Sequence, residues 1–202
     1  QSCIAGSRLY LQKGIYEEFL NKISDKAKNI KIGHPENEET QMGPLATLNQ
    51  VNFIQKKVDE TIAEGAKLIT GGEKPKEFNQ GWYYKPTILE CDHHNLPAAE
   101  KELFGPVLSV MKFLDEKEVI ELMNDNSYGL AAGVFTENNG VALRVSKNVR
   151  AGIVFVNTYR LISPVAPFQR FVGLGIKNVN SPEIILNDST YEYKTHTCLS
   201  CE

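Results

Sequence analysis

Two short runs in this sequence carry side chains with chemistry to offer. The first is Gln1-Ser2-Cys3-Ile4-Ala5-Gly6-Ser7-Arg8. A cysteine among small residues, just ahead of an alternating stretch, can occupy a tight and partly exposed turn. Its thiolate is a strong nucleophile where the surroundings lower its pKa. Taken by itself, such a cysteine is more often an inert, half-buried side chain. The second run is Glu102-Leu103-Phe104-Gly105-Pro106-Val107, with a carboxylate two residues from an aromatic ring. Alone, Glu102 reads as a solvated carboxylate and Phe104 as core packing.

Other reactive groups are weaker signals. Cys91-Asp92-His93-His94 has metal-ligand types but poor spacing, and Cys198-Leu199-Ser200-Cys201 is a lone CxxC without a second ligand pair. No metal site is expected. Arg160 has the chemistry to anchor an acidic substrate, but a surface arginine is the plainer reading. Four cysteines at irregular intervals in 202 residues do not form a disulfide framework, so a reducing, cytoplasmic setting is expected. The net charge of −3 gives no reason to expect nucleic acid or an anionic membrane as partner. No apolar run approaches the roughly 18 residues of a membrane span, and no leader-like stretch opens the sequence.

The elements that must position these residues follow from periodicity. Arg8 to Gln12 alternates as a short strand, and Ile15, Phe19, Ile23 and Ala27 recur every four residues as one helix face. Thr47 to Glu64 is the clearest helix, with Leu48, Val51, Ile54, Val58 and Ile62 on one side. Thr47 and Gln50 have capping-box spacing, and Gly65 stands at its stop. Ala66 to Thr70, Thr87 to Glu90, Pro106 to Phe113, Ala131 to Thr136 and Ile153 to Val156 read as strands. Asp115 to Asn124 and Asn139 to Val149 read as helices, and Lys74 to Tyr84 as a surface loop. From Ser163 onward the pattern weakens, apart from an alternating stretch, Thr190 to Leu199, suited to a sheet edge or a second subunit. Alternating strands and helices imply an α/β fold: a parallel-rich sheet with helices on both faces, ending in an extended C-terminal arm. Cys3 is expected near the C-terminal edge of that sheet, where open α/β sheets place ligands.

The two runs match the motifs around the catalytic cysteine (Gly-Gln-x-Cys-x-Ala-Gly-Ser-Arg) and the Glu-x-Phe-Gly-Pro-Val segment of the aldehyde dehydrogenases. Gln41-Met42-Gly43-Pro44-Leu45, Gly71-Gly72, Lys85-Pro86-Thr87, Tyr128-Gly129-Leu130-Ala131-Ala132 and Val156-Asn157-Thr158-Tyr159 follow in the family's order. From Gln1 to about Phe168 the chain resembles the catalytic half of an NAD(P)-dependent aldehyde dehydrogenase.

The resemblance implies a small-molecule aldehyde as substrate and NAD or NADP as cofactor. It makes Cys3 the nucleophile, with its own backbone N–H as one oxyanion donor. Glu102 would accept from the nicotinamide ribose hydroxyls, Phe104 would pack near the nicotinamide, and Leu130 would line the same place. Ser2 and Ile4 would flank the nucleophile and shape the pocket. Asn157 would support the cysteine loop, and Phe168 would line the substrate tunnel.

The family's cofactor-binding unit, with its general-base glutamate and second oxyanion donor, precedes the cysteine, and no Gly-x-Gly-x-x-Gly occurs in these 202 residues. The chain alone is therefore expected to be inactive. The organisation expected is a catalytic domain over 1–168 and a diverged tail over 169–202. In the tail, Tyr193-Lys194-Thr195 resembles the strand through which family members form homo-oligomers. The alternative is a non-catalytic module that keeps the fold and only associates with partners. A CoA-acylating relative is a third reading.

Overall fold

A computed structural model describes residues 1–161 and the backbone of three later strands, Gln169–Val172, Gly175–Asn178 and Thr195–Cys198. Phe168 and the expected tail residues 190–194 lie outside the described residues. The chain forms two compact units, Gln1–Leu114 and Asp115–Glu202, and the expected catalytic span 1–168 runs across both.

The first unit holds β1 (Arg8–Gln12), a 3-10 turn (Lys13–Ile15), α1 (Tyr16–Lys28), α2 (Leu48–Ala63), β2 (Lys67–Thr70), β3 (Thr87–Glu90), the single-turn α3 (Pro97–Glu100) and β4 (Val107–Phe113). Its sheet runs β1-β4-β3-β2. The first three strands are parallel and β2 is an antiparallel edge. Alternation along β3 and β4 sends side chains to opposite faces. Leu89, Val107 and Met111 pack with Val51, Ile54 and Val58 of α2. Ile88 and Val110 pack with Tyr16 and Leu20 of α1. A parallel-rich sheet with a helix on each face is thus present in this unit.

Three details depart from the periodicity. On α1 Tyr16 and Leu20 are buried and Ile23 and Ala27 half-buried against the same cluster, because Ile15 belongs to the preceding 3-10 turn; Ile15 and Phe19 are exposed. On α2 the buried stripe ends on Thr61 rather than Ile62, and Leu48 is exposed. The Lys74 to Tyr84 loop is not all surface, since Tyr83 and Tyr84 are buried. The end of α2 is as expected. Gly65 N–H donates to Ile62 O and Ala66 N–H to Thr61 O, the two bonds of a Schellman stop.

The second unit holds α4 (Glu116–Asn124), β5 (Ala131–Val134), α5 (Asn139–Asn148), β6 (Ile153–Val156), β7 (Gln169–Val172), β8 (Gly175–Asn178) and β9 (Thr195–Cys198). Asp115 and Asn138 cap the two helices through Glu118 N–H and Val141 N–H. Its sheet, β5-β6-β9, is parallel throughout, and β7 and β8 form an antiparallel hairpin. Val145 of α5 and Val149 at its C-cap, with Ile120 and Met123 of α4, cover Ala132, Val134 and Val154. The C-terminal strand pairs with β6 of its own chain, at the edge of this sheet. No helix among the described residues is long and apolar enough to cross a membrane.

Candidate active site

Ala5 N–H donates to Ser2 O at 2.9 Å, closing a turn with Cys3 and Ile4 at its tip. The two side chains part there. Ile4 is buried in the core and Cys3 is exposed. Gln1, ahead of the turn, accepts from Ala46 N–H through Oε1 at 2.9 Å. Ser7 O accepts from Ser109 N–H at 3.0 Å, which joins the start of β1 to β4.

The same joint brings the second run alongside. A recess of about 30 Å³ is lined by Ser2, Ala5 and Ser7 from the cysteine run and by Glu102, Phe104 and Gly105 from the other. Neither Cys3 nor Ile4 is part of its lining. That volume holds a water or two; an aldehyde or a nicotinamide ring needs further walls. Both runs feed directly into parallel neighbouring strands, so the recess lies at the N-terminal edge of β1 and β4. The expectation of the C-terminal edge is corrected by this chain order.

The carboxylate loop is held tightly. Phe104 has φ 51°, in the left-handed region that bulky side chains avoid, yet the residue is 42% exposed. An aromatic that is both strained and exposed is packed for something other than the core. Beneath it, a Cβ on Gly105 would lie 2.2 Å from Ile54 Cδ1, so only glycine lets the loop close on α2. Upstream, α3 is tied by side chains from three elements. Thr61 Oγ1 accepts from Ala98 N–H at 2.9 Å, Ser109 Oγ donates to Ala98 O at 3.0 Å, and Arg8 Nη1 donates to Ala99 O at 3.1 Å. Thr61 and Ser109 are fully buried, where an unpaired hydroxyl is costly.

Gln50 is the site-adjacent residue that the capping-box reading misplaced. Thr47 Oγ1 does accept from Gln50 N–H at 3.2 Å, but the Gln50 amide does not return to Thr47. Its Nε2 donates to Leu103 O at 2.6 Å, with Phe104 O 3.4 Å away. The cysteine motif gives Arg8 no role, and Thr61 is a polar residue on the apolar face of α2; both tie α3.

Leu130 and Asn157 belong to the second unit. Leu130 is half-buried just before β5, where its carbonyl accepts from Ile153 N–H. Asn157 follows β6, at the other end of the same parallel pair, with φ 53°. Both arms of its amide serve Thr136: Oδ1 accepts from Thr136 N–H at 2.8 Å and Nδ2 donates to Thr136 O at 2.9 Å. Asn157 therefore pins the ends of β5 and β6 together. Tyr159 packs edge-on against Phe155 at 5.2 Å and covers Gly133, where a Cβ would meet its ring at 2.7 Å. Arg160 is exposed, with φ 66°.

Cys91 is buried, and burial pushes its thiol up to about 11. Among the described residues no three His, Cys, Asp or Glu side chains converge as a metal site.

The class so defined is an α/β protein that presents an exposed thiol turn beside a strained carboxylate–aromatic loop at one edge of parallel strands. The model of the aldehyde dehydrogenase family matches residues 1–184, and the chain belongs to that family. It is 47% identical over 169 residues to (Z)-2-((N-methylformamido)methylene)-5-hydroxybutyrolactone dehydrogenase of Acinetobacter baylyi, covering 83% of this chain and 34% of the relative. It is 38% identical over 176 residues to an aldehyde dehydrogenase of Emericella nidulans, covering 87% and 35%. Among solved structures, the NAD+ complex of an aldehyde dehydrogenase from Bacillus cereus superposes with a TM-score of 0.82 at 35% identity, covering 85% of this chain and 35% of that one. The chain spans about a third of the length of these relatives.

Proposed function

We propose that this chain is the thiol-bearing catalytic portion of an enzyme that oxidises an aldehyde with NAD or NADP. The observation that carries the reading is the exposure of Cys3 on a turn whose neighbours share one recess wall with Glu102 and Phe104. The Cys3 thiolate attacks the aldehyde carbon, and the carbonyl oxygen takes up the proton, giving a thiohemiacetal. The Cys3 backbone N–H stabilises the oxyanion as it develops. Glu102 and Phe104 fit the nicotinamide-ribose end of the cofactor: an ionised carboxylate accepts from two hydroxyls, and an exposed ring offers a face for stacking. When bound, the cofactor supplies a hydride acceptor for the oxidation of the thiohemiacetal to a thioester. Ser2 shapes the approach to Cys3, and Ile4 anchors the turn from beneath. Outer-edge pairing of β9 joins copies of the protein into a homo-oligomer.

The recess carries a single carboxylate, Glu102. Glu102 and Phe104 meet only the nicotinamide-ribose end of the cofactor, so the recess by itself does not hold a hydride acceptor and the chain alone stops at the thiohemiacetal. With a 13C-labelled small aldehyde, the chain is expected to show a thiohemiacetal carbon signal that Cys3→Ala abolishes, with no NAD or NADP reduced. Absence of the adduct would sink the nucleophile reading and leave the non-catalytic module. Turnover that depends on Cys3 would sink the reading of the chain as an incomplete site.

A further inference from the structure

The third residue of α2 is turned away from its own helix. Gln50 N–H caps onto Thr47 Oγ1, but its side-chain amide crosses to the loop between α3 and β4 and donates to Leu103 O at 2.6 Å. The same nitrogen lies 3.4 Å from Phe104 O. One turn along α2, Ile54 fills the space under Gly105. Between these two supports stands Phe104, with φ 51°. A left-handed phenylalanine persists only where its neighbours over-determine it.

We propose that Gln50 is a positioning residue: by donating its side-chain amide to Leu103 O, it holds the Glu102–Phe104 loop in the left-handed turn that presents both residues to the recess. The purpose of that turn rests on the proposed function, but the clasp itself does not. Two substitutions separate the clasp from the stability of α2. Gln50→Glu completes the capping box with Thr47 and places a negative charge in the first helical turn, both favourable to the helix. It also removes the donor and turns a carboxylate toward two carbonyl oxygens. Gln50→Lys disfavours the helix end but keeps an N–H donor within reach of Leu103 O. Helix stability and the clasp therefore predict opposite orders.

The loop has two built-in reporters: Val107 N–H donates to Gly105 O and Thr87 N–H donates to Pro106 O, each at 2.8 Å. Cys91 N–H, bonded to Val110 O at 2.9 Å, is the reference for the sheet. Amide exchange on the intact 202-residue chain is expected to quicken about tenfold at Val107 and Thr87 in Gln50→Glu, and to stay within about threefold of wild type in Gln50→Lys. Cys91 should not change in either. The Gln50→Glu defect should shrink below about pH 4, where the protonated carboxyl regains a donor. The reverse order, equal rates in the two variants, or a Cys91 amide that accelerates with Val107 would overturn the proposal. A failed exchange pattern refutes the clasp alone, and a missing thiohemiacetal refutes the functional reading alone.

Discussion

Replacing Gly105 by alanine tests how closely the carboxylate loop is fitted to α2. The new Cβ would stand 2.2 Å from Ile54 Cδ1 and 3.2 Å from Cγ1, where carbon atoms rest at about 3.5–4.0 Å. Gly105 does not have a positive φ, so the cost is steric and not conformational. Ile54 is fully buried within the α2 cluster and cannot swing into solvent. Forcing it off its rotamer, or lifting the loop, costs about 1–3 kcal/mol. Ile54→Val removes the clashing Cδ1 and by itself costs about 0.5–1.5 kcal/mol. In the double variant only the milder 3.2 Å contact with Cγ1 remains, so its cost should fall below the sum of the singles by about 1–2 kcal/mol. Urea unfolding followed by fluorescence reads this out, because the chain has a single tryptophan, Trp82, in the first unit. A midpoint shift on the order of 1 M is expected for Gly105→Ala. Additive costs, or a single-variant cost under about 0.5 kcal/mol, would refute the claim that this glycine is required by Ile54.

Two further outcomes are expected. At pH 8 an aromatic disulfide should label Cys3 at least a hundredfold faster than Cys91. The buried Cys91 thiol, pushed up to about 11, is almost wholly protonated at pH 8, which outweighs the reactivity that its greater basicity returns, and its 2% exposure slows access further. Peptide mapping that finds the two within tenfold would contradict the contrast drawn between turn and core. Burial raises the hydroxyl pKa of Tyr16, helped by its bond to Glu90, and burial raises that of Tyr84 with Asp59 and Glu73 nearby. The folded state then holds these protons more tightly than the unfolded chain, whose tyrosines titrate near about 10. The stabilisation is complete below that pH and is lost as pH climbs above it. Thermal unfolding should show a Tm falling between pH 9 and 11, less steeply in Tyr16→Phe with Tyr84→Phe. A profile that the double substitution leaves unaltered would refute the assignment.

Much of the scaffold was legible because its elements bury one face each. The runs 87–90 and 153–156 are short apolar strands bounded by turn residues, and they appear as β3 and β6 with the bounds expected. Asp115 caps α4 as its position suggests. What failed was phase. The α1 stripe Ile15, Phe19, Ile23 and Ala27 holds only in its second half, because an apolar spacing of four is satisfied by more than one register and the 3-10 turn before Tyr16 shifts the start. The four-residue α3 was invisible, since Pro97-Ala98-Ala99-Glu100 is too short to show a period.

Of the site, the sequence by itself determined which residue types are present and where they enter the chain: a thiol ahead of one strand and a carboxylate–aromatic pair ahead of another. Local composition carries that information, because small residues around Cys3 permit a tight turn and Gly105 permits a close approach. Only the tertiary structure decided that the two runs meet. Their strands lie 99 residues apart between Arg8 and Val107 in numbering, and parallel pairing of Arg8 with Ser109 sets them side by side. It also decided the edge on which they meet and the destination of three polar side chains, Arg8, Gln50 and Thr61. The physical reason is that a long side chain donates or accepts wherever packing leaves a backbone group unpaired. Which group that is follows from the register of elements far apart in sequence, and no local pattern encodes it.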